Sequence, residues 1–256
     1  MGKIFLSIIM PALNEEKNIV AAITNILESL NSFDVHGEVI VINDGSTDRT
    51  EEYIKDLVKK DNRVRMIKHD SPMGIGASFW DGVGSANGEL AIMMPGDNEN
   101  DLSEMLRYVS LMENVDIVIP FAFNKSVRSV FRNIISFIYR FIINSTFCTS
   151  LNYTNGTIIY RTSLLTELEH KEKSFFFQTD ILIKLIKKGY LFAEVPYKLG
   201  KRGKGKSKAA TLCSLYKVVK GYMKLFFYIY FKKKNKNNIF AENSISARRY
   251  SELNKA

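Results

Sequence analysis

The chain has 256 residues, 46% hydrophobic and 25% charged, a balance that excludes intrinsic disorder and collagen-like repetition and leaves a core large enough to fold without disulfides. Its two cysteines, Cys148 and Cys213, show no CxxC or Cys/His spacing, which argues against a structural zinc site and suits a reducing compartment. The net charge is +9, yet 13 of the 36 basic residues lie between Lys198 and Lys236 with no acid among them, so removing those 13 leaves −4 elsewhere. Such asymmetry points to an anionic partner near the C-terminal end.

The opening residues, Met1 to Ser7, have neither the apolar run nor the cleavage site of a secretory leader, and none is expected. Apolar runs and helical periods then alternate. Ile4–Met10, Glu38–Ile42, Val64–Ile67, Leu90–Met94 and Val115–Ile119 are short and rich in β-branched residues, as parallel strands buried on both faces are. Between them, Asn18–Leu30, Thr47–Lys60 (capped by Ser46 or Thr47) and Asp101–Met112 carry apolar side chains at helical spacing. The alternation predicts an α/β fold with an open, mostly parallel sheet flanked by helices. Val127–Phe147 is apolar and aromatic but broken by Arg128, Arg132 and Arg140. Leu212–Phe231 carries Lys217, Lys220 and Lys224 on one face opposite Phe226, Phe227, Tyr228 and Tyr230, the pattern of an amphipathic helix lying on a membrane surface. The expected organisation is a catalytic domain over 1–210, this interfacial helix over 211–234 and a polar, flexible tail over 235–256.

Ligands of open α/β sheets bind beyond the carboxyl ends of the strands. Three such ends carry carboxylates or amides followed by turn formers: Pro11-Ala12-Leu13-Asn14-Glu15, Asn43-Asp44-Gly45-Ser46 and Pro95-Gly96-Asp97-Asn98-Glu99. Asp97 and Glu99, two apart in a turn, suit a hard divalent cation, Mg2+ or Mn2+, completed by a diphosphate. Read alone, the same turn is better taken as a solvated loop in which Asp101 caps a helix. Two other patterns fail on context. Gly200 to Ser207 satisfies GxxxxGK[ST], but no Asp follows Asp180 to hold magnesium. Gly74-Ile75-Gly76 opens like a dinucleotide fingerprint, but Phe79 stands where the third glycine belongs.

Together the segments Ser7–Ile19, Val39–Thr50, Gly74–Ala77, Ala86–Gly88, the Asp97 turn, Arg132 with Ile135-Ser136, and Arg202–Lys208 resemble glycosyltransferase family 2, in its dolichyl-phosphate mannosyltransferase-like branch. The resemblance implies a GT-A fold, a nucleoside-diphosphate sugar donor and an inverting transfer. It implies that Pro11, Ala12, Asn14 and Glu15 line the nucleoside pocket, that Asp44 accepts from the nucleobase edge, and that Gly76 lies at the nucleotide sugar. Asp97 and Glu99 would hold the metal, and Arg202, Ser207 and Lys208 would close over the phosphates. The chain departs from the family in having Pro95 at the first position of Asp-x-Asp, and in Gln178-Thr179-Asp180, where the family's acidic residue is displaced.

The acceptor decides the remaining chemistry. A sugar hydroxyl needs a general base, for which Asp180 is the candidate. A lipid phosphate is already ionised and needs arginines, for which Arg128 and Arg132 are the candidates. The expected reaction is transfer to a polyprenyl phosphate by a protein peripheral to the cytoplasmic face of an anionic membrane. Transfer to a surface-glycan hydroxyl and a non-catalytic nucleotide-sugar-binding protein are the alternatives. No nucleic-acid partner is expected, because the basic stretch contains no recognition module.

Overall fold

The computed structural model describes residues 5–124, 127, 129–200, 212–231 and 240–254. In chain order the first half comprises β1 (Leu6–Ala12), α1 (Ile19–Ser32), β2 (Gly37–Asp44), α2 (Thr50–Lys60), β3 (Val64–His69), α3 (Ile75–Gly84), β4 (Leu90–Met93), α4 (Leu102–Leu106), a 3-10 turn (Val109–Glu113) and β5 (Ile117–Ala122). The second half comprises α5 (Val130–Phe147), β6 (Ile159–Arg161), α6 (Thr162–Thr166), α7 (Phe177–Lys188), β7 (Phe192–Tyr197), α8 (Leu212–Phe231) and α9 (Ile245–Leu253).

The strands form one sheet in the order β3-β2-β1-β4-β6-β5-β7. Only β6 runs against its neighbours, antiparallel to both β4 and β5. Every other strand therefore ends at the same edge. Alternate side chains of the apolar runs enter two separate cores. Ile9, Ile40, Ile42, Ile117 and Ile119 meet Phe79, Trp80, Phe147 and Phe177 on one face. Ile8, Met10, Val39, Val41 and Val118 meet Ile19, Ile23, Ile54 and Leu102 on the other. With both faces covered, no polar alternation is required of the strands.

Three local expectations are corrected. The segment expected as one helix, Asp101–Met112, divides into α4 and the 3-10 turn; Asp101 caps α4 by accepting from the Ser103 N–H at 2.9 Å. Helix α2 starts at Thr50, not Thr47, because Ser46 and Thr47 bond instead to Asn14. The tail expected to be flexible holds a docked helix over part of its length. Asp116, fully buried at the foot of β5, accepts from the backbone N–H groups of Ile245 (2.7 Å) and Ser246 (3.1 Å) at the start of α9. Ser244 caps the same turn, and Phe240 packs edge-on against Tyr190. A polar composition concealed an anchor made of backbone donors and one carboxylate.

Helices α5 and α8 leave much apolar surface uncovered. On α5, Val130, Phe131, Ile134, Ile135, Phe137, Ile138, Phe141 and Ile142 are 45–75% exposed. On α8, Leu225 is buried and Gly221 abuts Phe176, while Leu215, Tyr216, Val219, Phe227 and Phe231 face out. Among the described residues no helix is long and apolar enough to cross a membrane.

Candidate active site

The topology locates the crevice. From β1 the chain moves outward through β2 to β3, then returns to place β4 on the other side of β1. The reversal between β1 and β4 is the switch point where open α/β sheets bind ligands. The β4 exit runs hard against that of β1, with the Gly96 N–H donating to the Pro11 carbonyl at 3.0 Å. A Cβ on Gly96 would come within 2.9 Å of Ile19 and 3.3 Å of Ala12. Glycine thus permits the approach that brings Asp97 beside Pro11 and Ala12.

The β1 and β2 exits are stitched together. Asn14, in the left-handed region at φ 55°, accepts from the Thr47 N–H (2.8 Å) and donates its own N–H to Ser46 (3.0 Å). The Glu15 N–H donates to Thr50 at 2.8 Å, and the Glu15 carboxylate accepts from the Asn18 amide at 2.8 Å. Asp48 accepts from the backbone of Thr50 and Glu16 and from the Thr50 hydroxyl. Burial pushes its pKa up, but these donors outweigh burial and hold it below the usual carboxylate value. Asn14 and Glu15 thus shape the rim as well as bordering it.

Asp44 is buried and occupied. It accepts from the backbone N–H groups of Met73 (2.7 Å) and Gly74 (2.8 Å), and His69 lies 2.8 Å from the same carboxylate. Asp44, which the resemblance implied would read the nucleobase edge, is thus tied to the Met73–Gly74 turn and to His69. Gly76 is also explained by packing: a Cβ there would lie 2.5 Å from the Lys173 carbonyl oxygen.

The β4 exit turns through Asn98 at φ 57°, between Asp97 and Glu99. The Glu99 N–H donates to the Asp97 carboxylate at 3.2 Å, and Asn98 accepts from Asn25 of α1 at 3.1 Å. Glu99 borders an open polar pocket of about 400 Å³ with Asn25, Glu28 and Asp101. Among the described residues, no group of three His, Cys, Asp or Glu side chains is placed to hold a metal. Asp97 does not line that pocket; the turn carries two carboxylates, the ligand type a divalent cation takes together with a diphosphate and water.

Arg132 is exposed in the first turn of α5, whose cap is Ser129. Two turns further along the same stripe, the Tyr139 hydroxyl lies 2.7 Å from the Thr179 hydroxyl. Gln178 pairs through both amide atoms with the backbone of Gly156 (2.9 and 2.8 Å). These links, which sequence reasoning missed, fix α5 and the segment before β6 to α7. Asp180 follows immediately and is buried, with Lys184 at 2.6 Å; the ammonium also donates to the His170 carbonyl and faces the Tyr228 ring. Burial pushes the Asp180 carboxyl up against the pull of Lys184. Asp180, expected as the general base, is thus placed as the buried ion-pair partner of Lys184. Arg128, Arg202, Ser207 and Lys208 lie outside the described residues.

The sequence profile of glycosyl transferase family 2 matches residues 7–169, which include all three strand exits, the Asp97 turn and Arg132. The chain belongs to glycosyl transferase family 2. Its architecture is the GT-A fold of that family's sugar-transferring enzymes. Among curated proteins it is similar to dodecaprenyl-phosphate galacturonate synthase of Rhizobium johnstonii, 26% identical over 64% of this chain and 50% of the relative. A dolichyl-phosphate beta-glucosyltransferase of Trichomonas vaginalis is 28% identical over 40% of this chain and 33% of its own length. The family 2 chain thus spans half or less of these relatives. Among solved structures it resembles glucosyl-3-phosphoglycerate synthase of Mycobacterium tuberculosis, crystallised with Mn2+, UDP-glucose and phosphoglyceric acid. The TM-score is 0.65 at 17% identity, covering 87% of this chain and 79% of that one.

Proposed function

We propose that this family 2 enzyme transfers a sugar, with inversion, from a nucleoside-diphosphate sugar to a polyprenyl phosphate at the cytoplasmic surface of a membrane. The observation that carries the reading is α5. It leaves the strand-end edge with Arg132 in its first turn, among eight exposed apolar side chains. An exposed cation in the first turn of a largely apolar helix suits a phosphate headgroup whose chain is hydrocarbon, whereas Arg140, further along, donates to the Asn152 carbonyl. The engagement of Asp180 with Lys184 favours the same acceptor, since a phosphate needs no base. The curated relatives are named for polyprenyl-phosphate products, in agreement.

In this mechanism an acceptor phosphate oxygen attacks the anomeric carbon from the face opposite the diphosphate. The carbon–oxygen bond to the diphosphate breaks, and the nucleoside diphosphate leaves with the electron pair. Pro11, Ala12, Asn14 and Glu15 border the nucleoside side of the crevice, and Arg132 orients the attacking phosphate. A divalent cation held by Asp97 and Glu99 would neutralise the charge that builds on the leaving diphosphate.

The test is nucleoside diphosphate release from a panel of sugar nucleotides, with polyprenyl phosphate supplied in vesicles. Arg132→Ala is expected to lower turnover by about 10²-fold while donor binding, followed by calorimetry, stays within about twofold. Parent-like turnover in Arg132→Ala would remove the lipid phosphate from the proposal.

A further inference from the structure

The chain places a histidine between two carboxylates at the crevice edge. The last residue of β3, His69, has Nδ1 at 2.8 Å from Oδ1 of Asp44 (β2) and Nε2 at 3.0 Å from Oδ2 of Asp81 (α3). The imidazole and the Asp44 carboxylate are buried, whereas Asp81 is 43% exposed. The ring thus has a carboxylate oxygen within hydrogen-bond distance of each nitrogen, one on β2 and one on α3.

What this ring holds is the turn that follows it. Asp44 uses its remaining capacity on the N–H groups of Met73 and Gly74. Gly45, at φ 71°, brings the end of β2 so close to Ser71 and Pro72 that a Cβ would lie within 2.7 Å. The segment 71–74 is therefore clamped to the β2 exit through Asp44, and Asp44 is fixed from behind by His69. Other charges nearby are committed or turned away. Lys68 pairs with Glu51 of α2 at 3.0 Å, and Asp70 is exposed.

We propose that His69, bridging Asp44 and Asp81, is a positioning residue that sets the Met73–Gly74 turn at the nucleoside end of the donor site. The proposal rests on the crevice being the sugar-nucleotide site. Its effect falls on donor binding, and the chemical step at the other end of the crevice is untouched.

The experiment compares the parent, His69→Ala and Asp81→Asn by steady-state kinetics, with hydrogen exchange followed at the Met73 and Gly74 amides. His69→Ala should raise donor KM about tenfold with kcat within twofold, and exchange at both amides should quicken. Asp81→Asn keeps a polar partner at Nε2 and should shift KM and exchange in the same direction but less. A folded His69→Ala with unchanged KM, or with amides as protected as the parent's, would overturn the proposal. If His69→Ala does not fold, Asp81→Asn decides: KM and exchange both equal to the parent's would overturn it. If no sugar nucleotide is turned over by the parent, the site reading fails, while the exchange rates test the clamp separately.

Discussion

Single carboxylates in this molecule differ in task according to the donors around them. Glu38, buried in β2, accepts from the Ser7 hydroxyl (2.7 Å), the Asn87 N–H (2.7 Å) and the Arg65 guanidinium (2.7 and 3.0 Å). Burial pushes its pKa up, yet these donors outweigh burial and hold the carboxyl below the usual glutamate value. A carboxyl depressed on folding stabilises the native state fully above its unfolded pKa, and that contribution is lost as pH falls through the folded pKa. Glu38→Gln is therefore expected to cost about 2 kcal/mol at neutral pH. Below about pH 4.5 its stability should fall less steeply than the parent's, as read by urea unfolding across pH. Equal slopes for both proteins would show that Glu38 is not the group responsible. The motif Ala86-Asn87-Gly88 acquires its meaning here. It sits at the amino edge of the sheet and closes β4 onto Glu38 and Ser7, whose hydroxyl accepts from the Gly88 N–H, far from the crevice.

The elements show which parts of the fold could be read from the residues. All five expected strands are present because continuous β-branched runs have few alternatives once both faces are buried. Strand β6 escaped because three residues carry no period, and its place between β4 and β5 depends on long-range pairing. His69 escaped for a smaller reason: β3 was expected to end at Ile67, two residues short of the edge where function collects. The pairing of Asp180 with Lys184 was legible as an i, i+4 spacing; its burial beneath Tyr228 of α8 was not. At this scale α5 and α8 make the clearest prediction. Their exposed Phe131, Phe137 and Phe227 gain about 1.5–3 kcal/mol each if buried in lipid, and the lysines of α8 add attraction to anionic headgroups. Phe131→Ser with Phe137→Ser should weaken sedimentation with anionic vesicles at least about tenfold and leave the circular dichroism unchanged. Vesicle binding as tight as the parent's would mean that α5 is not an interfacial surface.

Across the whole molecule, function follows from where the sheet reverses. The switch between β1 and β4 opens the crevice, Gly96 lets the two exits touch, and the stitched loops of β1 and β2 form its rim. On the opposite edge Asp116 anchors α9, and Arg161 bridges Asp116 and Glu89. The rigid fastenings thus lie away from the crevice, at the foot of the sheet. The catalytic half of this plan was visible as carboxylates and glycines at strand ends. The occupation of Asp44 and Asp180 by neighbours was not, because it depends on side chains distant in sequence meeting in three dimensions.

The central claim is that the Asp97 turn, beside the β1 exit, grips a nucleoside diphosphate through a divalent cation. Thermal unfolding with uridine and guanosine diphosphates, with and without Mn2+, tests it on the parent and on Asp97→Asn. One nucleotide at about 100 times its Kd should raise the parent Tm by about 5 °C or more only when Mn2+ is present, and should leave Asp97→Asn unmoved. A parent indifferent to every nucleotide, or an Asp97→Asn that responds as the parent does, would contradict the account.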